Sequence, residues 1–199
     1  MTFAQLKRYW HIELLGGAHK RFSWRRVWMK YRQRSRYRYL FWYRLVQFLY
    51  AKESKFWKNR ARRLNDRISE RFGIEIPVDT TIGEGLFIPH PVGIVITRKA
   101  IIGKNFSIFQ NCTIGQKNDD SGPIIIGDNV SVGANSCIIG HHLRIGNDVT
   151  IAAASFVNKD IPDRHTHISQ YVSRLIENQN GHSPISTPHS RRAHGHAAE

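Results

Sequence analysis

From residue 82 onward an Ile-Gly pair keeps returning: Ile82-Gly83, Ile102-Gly103, Ile114-Gly115, Ile126-Gly127 and Ile145-Gly146. Between these pairs aliphatic side chains fall every six positions. Ile82, Ile88 and Ile94 make one run, and Ile102, Ile108 and Ile114 the next. Ile126, Val132 and Ile138 follow, then Ile145, Ile151 and Val157. A period of six matches neither a helix nor a lone alternating strand. It fits a coil with three flat faces, one short strand on each and about eighteen residues per turn. No single coil can bury its own apolar side, so about four must stack to enclose a column. A β-sandwich of short strands is the competing reading, and six-residue phasing through twelve successive faces argues against it.

The departures from that period place the insertions. Ile82 to Ile102 is two residues longer than eighteen, Ile126 to Ile145 one longer, and Ile102 to Ile126 six longer. The surplus in the last of these is the polar stretch Gln116 to Gly122, which must loop out of the coil.

Charge divides the chain in two. The formal net charge is +15, and residues 1–75 hold 20 Lys and Arg against 5 acids, while residues 76–199 hold 10 of each. The break places a boundary at Gly73, giving a basic, aromatic-rich helical segment 1–73 and a coil domain 74–163. A closing segment 164–177 and a polar tail 178–199, expected to be disordered, complete the chain. Aromatics and arginines interleave in Trp24-Arg25-Arg26 and again from Tyr37 to Arg44, and no Pro precedes position 77, so two or three helices are expected. Residues 1–72 suit peripheral contact with an anionic membrane, or a helical cap packed on the coil end. Nucleic-acid binding is the weaker rival and is not expected. Cys112 and Cys137 fall inside the apolar repeat and suggest no disulfide framework, which makes the reducing cytoplasm the expected compartment. The most apolar stretch, Tyr39 to Tyr50, is too short to span a bilayer.

A solenoid is only a scaffold, so chemistry must come from side chains at particular corners. His90 ends the stretch Ile82-Gly-Glu-Gly-Leu-Phe-Ile-Pro-His90, two residues after an inward Ile. Glu75 lies fifteen residues earlier, near the same edge one coil away. A carboxylate behind an imidazole fixes its tautomer and stabilises the imidazolium, which is what a general base for an alcohol needs.

At these residues the chain resembles a known family. The stretches IGEGLFIPHPVGIVITRKAIIGKN, NCTIGQ, SGPIIIGDNVSVGANSCIIG and IGNDVTIAAASFVNKDIPD are similar to the serine acetyltransferase branch of the hexapeptide-repeat acyltransferases. RYRYLFWYRL and the run up to FGIEIP resemble its capsule and exopolysaccharide members. The resemblance implies a mainly β fold, a left-handed parallel β-helix with a basic α-helical N-terminal segment, assembled as a trimer with sites between prisms. It implies acetyl-CoA as co-substrate, no metal, and His90 as catalytic base with Glu75 supporting it. Gly115, Gln116, Ala134, Ala152, Ala153, Lys159 and Arg174 then fall at coenzyme positions. Asn118, Asp119, Asp120 and Ser121 of the loop are the residues left to meet an acceptor.

Departures from the family bear on that acceptor. Serine acetyltransferases carry Asp before the base and Arg-His before the strand after the loop; this chain has Pro89, Ser121 and Gly122. The Gly-x-Pro-Ala-Arg turn is replaced by Gln170-Tyr-Val-Ser-Arg174. A sugar or polysaccharide hydroxyl is therefore the expected acceptor, with serine acetylation as the alternative. A non-catalytic assembly solenoid is the reading from another class. A three-His zinc enzyme on this scaffold is disfavoured, because His141 and His142 are adjacent at one corner.

Overall fold

The computed structural model describes residues 1–17 and 19–171. Arg174 and the tail 178–199 lie outside the described residues. Four helices open the chain: α1 (Phe3–Leu15), α2 (Trp24–Gln33), α3 (Ser35–Tyr50) and α4 (Lys55–Phe72). The extra helix arises because α2 and α3 are split at Arg34, a single residue in extended conformation that carries no breaker signal. Thr2 and Gln5 form a reciprocal capping box at the start of α1, satisfying amide donors that a helix leaves free there. Gly16 and Gly73 end α1 and α4 in the left-handed conformation, as helix-terminating glycines do.

Among the described residues thirteen short strands then wind through three parallel sheets. Face A stacks β1 (Ile74–Glu75), β3 (Ile94–Ile96), β6 (Thr113–Gln116), β9 (Cys137–Gly140) and β12 (Phe156–Val157). Face B stacks β2 (Thr81–Ile82), β4 (Ala100–Ile102), β7 (Ile124–Ile126) and β10 (Arg144–Ile145). Face C stacks β5 (Ser107–Ile108), β8 (Ser131–Val132), β11 (Thr150–Ile151) and β13 (Thr166–His167). The result is a left-handed parallel β-helix.

The Ile-Gly column stacks in register, Ile82 on Ile102, Ile126 and Ile145, with a bridge on to Ile161. One phase differs from the sequence reading. The first-coil residue level with Ile114 is Ile96, not Ile94, which pairs with Ile74 instead. Phe87 is level with Ser107 and Val92 with Gln110, so the two extra residues lie between Ile88 and Val92, at the corner that carries His90. Both isoleucines are buried, and the register slips between equally apolar neighbours. At two corners the chain turns through left-handed residues, Asn105, Asn129 and Asp148 at one, Asn111 and Asn135 at the other. Their side chains form ladders, with Asn105 Nδ2 donating to Asn129 Oδ1 (2.9 Å), Asn129 Nδ2 to Asp148 Oδ1 (2.8 Å) and Asn111 Nδ2 to Asn135 Oδ1 (3.1 Å). Asn tolerates this conformation better than other residues with a side chain.

The helices close the exposed end of the coil. A first coil has backbone groups with no coil before it, and burying them unpaired would be costly. Arg44 Nη1 and Nη2 donate to the carbonyls of Ile82 (3.0 Å) and Gly83 (2.6 Å). Glu13 Oε1 accepts from the amides of Gly85 (3.2 Å) and Leu86 (3.1 Å). The two side chains pair with each other at 2.6 Å, both fully buried. Asn65 and Gln47 cover the carbonyls of Ile76 and Thr80 in the same way. At the rim, the hydrogen bond from Arg8 holds the Glu84 carboxyl below its ordinary range. Burial among these helices pushes the Tyr39 hydroxyl well above the usual tyrosine range. Among the described residues no helix is long and apolar enough to cross a membrane.

Candidate functional site

His90 stands at the corner between faces C and A, exposed. Its side chain forms no hydrogen bond or ion pair with another described residue, while its carbonyl accepts from Val92 N (2.9 Å). The corners below it stack: Asn111 N donates to the Val92 carbonyl, Asn135 N to that of Gln110, and Ala154 N to that of Ala134. His90, Ala134, Ala152 and Ala153 therefore share one ridge of the prism. Along that ridge Ala134 and Ala152 are half-buried and Ala153 is exposed, with Gln110 and Asn111 between them and His90.

Glu75 lies on face A, where it pairs with Val95, and heads an outward column continued by Thr113, Cys137 and Phe156. It shares the face that His90 leads into, and no hydrogen bond joins the two side chains. Glu75 instead lines a cavity of about 710 Å³ against α4, with Arg62, Arg98, Glu70 and Asp79 among its walls. Burial pushes the Cys137 thiol up, which leaves it protonated and a poor nucleophile.

Gly115 and Gln116 occupy the opposite end of face A, on β6. The glycines of the repeat differ here in an informative way. A Cβ on Gly127 would lie 2.6 Å from Asn147 Oδ1 and 2.8 Å from the Gly146 carbonyl carbon, so stacking itself forbids a side chain. A Cβ on Gly115 would meet nothing nearer than Thr113 Cγ2 at 3.6 Å, which is ordinary contact. The fold does not demand glycine at 115, and its absent side chain leaves open space outside the prism.

The loop after β6 is pinned from within. Gln116 Nε2 donates to the Ser121 carbonyl (2.9 Å), and its Oε1 accepts from Thr97 Oγ1 (2.9 Å). Lys99 Nζ donates to the carbonyls of Asp119 (2.8 Å) and Ser121 (3.0 Å). Ser121, 1% exposed, donates from Oγ to Asn118 Oδ1 (2.7 Å) and accepts from Asn118 N (3.1 Å). Gln116 and Ser121, which the sequence reading assigned to coenzyme and acceptor, thus spend their polar groups on holding the loop. Asp119 and Asp120 remain exposed at its tip. Sequence reasoning missed Lys99 and Thr97, whose role depends on a contact across one coil. His141 Nδ1 accepts from Gly122 N (3.3 Å), and among the described residues no cluster of three His, Cys, Asp or Glu could hold a metal ion. Lys159 is exposed at the corner that leads from β12 to Ile161, which bridges to Ile145 on face B.

One ridge thus carries an unpaired imidazole together with Ala134, Ala152 and Ala153, and the far end of the adjacent face carries an open glycine and a pinned polar loop. The scaffold that carries them is a left-handed parallel β-helix of hexapeptide repeats. No family model matches the chain. Serine acetyltransferase 4 of Arabidopsis thaliana is 35% identical over 133 residues, 64% of this chain and 37% of that protein. A serine acetyltransferase of Staphylococcus epidermidis is 36% identical over 146 residues, 67% of this chain and 68% of the relative. The crystal structure of Neisseria gonorrhoeae serine acetyltransferase in complex with serine superposes with a TM-score of 0.70 at 27% identity, covering 84% of this chain and 68% of that one. The chain belongs to the serine acetyltransferase family. It spans well under half the length of the plant relatives, 37%, 29% and 40% of three of them. These relatives are serine acetyltransferases, not the capsule and exopolysaccharide members that the sequence resemblance favoured.

Proposed function

We propose that this chain transfers the acetyl group of acetyl-CoA to a hydroxyl oxygen, with His90 as general base. The observation that carries the reading is the match to the Staphylococcus epidermidis serine acetyltransferase, taken with the unpaired imidazole on the ridge that also carries Ala134, Ala152 and Ala153. His90 takes the proton of the acceptor hydroxyl as its oxygen attacks the thioester carbonyl carbon. The tetrahedral oxyanion collapses, the C–S bond breaks, and the coenzyme thiolate recovers the proton from the imidazolium. Glu75, which is not hydrogen-bonded to the imidazole, acts on that cation through space from the head of face A. Ala134, Ala152 and Ala153 line the path of the pantetheine arm, and Gly115 admits a close approach. The His90 ridge and the Gly115 end lie on opposite edges of face A, so a neighbouring prism completes the site, in keeping with a cyclic homotrimer.

The acceptor favoured by the relatives' names is L-serine. A saccharide hydroxyl is the second reading, and a specific observation favours it. Pro89 and Gly122 carry no charge, and Ser121 is buried against Asn118. Each missing charge-assisted bond to a zwitterion would forgo about 1.5–3 kcal/mol. Thiol release from acetyl-CoA with L-serine or with oligosaccharides separates the two. The serine reading expects turnover of L-serine with a high KM and none of saccharides; the reverse preference would replace serine by a sugar.

The two glycines give an independent test. Gly127→Ala is expected to destabilise the fold by about 1–3 kcal/mol through overpacking. Gly115→Ala should leave the unfolding midpoint unchanged while raising the KM for acetyl-CoA roughly tenfold, as an added methyl in a fitted groove does. Urea denaturation and initial rates on both variants check this. An unchanged KM in Gly115→Ala would remove that residue from the coenzyme path.

A further inference from the structure

Between Glu13 and Glu53 the sequence contains no Asp or Glu, while eleven Lys and Arg fall in that interval. Arg44 is withdrawn from the surface by its buried pairing with Glu13. Among the described residues no carboxylate forms a salt bridge with any cation of α2. That helix is also poorly embedded: Val27 is its buried residue, whereas α1 and α3 bury Trp10, Tyr39 and Tyr43 in the cap.

The rest of α2 faces outward. At about 100° per residue, Trp28, Arg32, Arg25, Met29 and Arg26 fan across the arc opposite Val27. Trp28 is 59% exposed, Met29 45%, and Trp24 at the first turn 51%. Trp28 is held rigid by stacking on Tyr31 at 5.3 Å, so its indole is presented on a fixed platform. Large apolar side chains interleaved with unpaired cations are costly to leave in water, and this composition marks helices that lie in a bilayer interface. Tryptophan favours the headgroup level, and arginines gain from anionic lipid beside it. A second copy docking through the same face would set two acid-free cationic surfaces against each other, which repel.

We propose that the outward face of α2 docks this protein on a membrane surface containing anionic phospholipid. Trp28 and Met29 enter the headgroup layer, and Arg25, Arg26 and Arg32 pair with lipid phosphates. The helical segment therefore divides its work: α1, α3 and α4 seal the coil, and α2 is left free to bind.

Co-sedimentation of the full chain with phosphatidylcholine vesicles, with and without phosphatidylserine, tests this. Binding is expected only to the phosphatidylserine vesicles and should weaken as salt rises above physiological strength. Arg25→Gln/Arg26→Gln/Arg32→Gln should lower partitioning roughly a hundredfold. Trp28→Ser/Met29→Ser should lower it roughly tenfold at every salt concentration. Both variants should keep the native unfolding midpoint, since the substituted side chains are exposed. Equal binding to neutral vesicles, no binding to either, or full binding by both variants would overturn the proposal. So would loss of self-association in Trp28→Ser/Met29→Ser, which would assign the face to a second copy. Single-stranded RNA binding that persists in excess anionic vesicles would assign it to nucleic acid.

Discussion

On the proposed chemistry, His90→Ala is expected to lower acetyl transfer by roughly 10²–10⁴-fold, the range a positioned general base supplies. Stability should barely change, within about 0.5 kcal/mol, because the imidazole is exposed and bonded to no other described residue. That separation makes the variant informative. An inactive but fully folded His90→Ala would localise the loss to chemistry, and a Glu75→Gln variant should lose less. Initial rates of thiol release at saturating acetyl-CoA, with urea denaturation of the same samples, check both halves. Wild-type turnover in His90→Ala would remove the base from the mechanism.

Arg44→Met is expected to have the largest effect on stability. It leaves Glu13 as a buried carboxylate without its cation and frees the carbonyls of Ile82 and Gly83. Breaking such a pair costs about 3–5 kcal/mol, because one charge stays in an apolar setting uncompensated. Replacing both partners by apolar residues is often less harmful than removing one. Glu13→Leu/Arg44→Met should therefore recover part of the loss, although Gly85 and Leu86 then lack their acceptor. Urea midpoints for the two single variants and the double variant measure the coupling. Additive losses would mean that the pair does not act as a unit.

Those two predictions mark where the sequence was and was not legible. The six-residue phase placed Ile82, Ile102, Ile126 and Ile145 in one column, and their backbone pairing bears that out. A strict period is readable because each coil must bury one side chain per face. The first coil misled by two residues because Ile94 and Ile96 are both aliphatic and both buried. Arg44 read only as the last of the arginines interleaved with aromatics from Tyr37 onward. Its partner lies thirty-one residues away on another helix, and nothing local links them. The same limit hid Lys99 and Thr97, which act across a coil. Gly115 and Gly127 sit in identical Ile-Gly pairs, yet only their surroundings reveal that packing forbids a side chain at one and tolerates it at the other. His90 was legible as a candidate because its neighbours resemble a known motif. The acceptor was less so: three missing charges pointed to a sugar, whereas the relatives' names point to serine.

The central claim is that an acetyl group passes from the coenzyme thioester to a hydroxyl. Its most direct test incubates the purified chain with acetyl-CoA carrying an isotope-labelled acetyl group and L-serine, and reads product masses beside free thiol. The account predicts labelled O-acetylserine formed in step with released coenzyme by the wild-type chain, and background levels in His90→Ala. Coenzyme and label that remain together with L-serine and with every saccharide tried, in a chain that is folded and assembled, would contradict it.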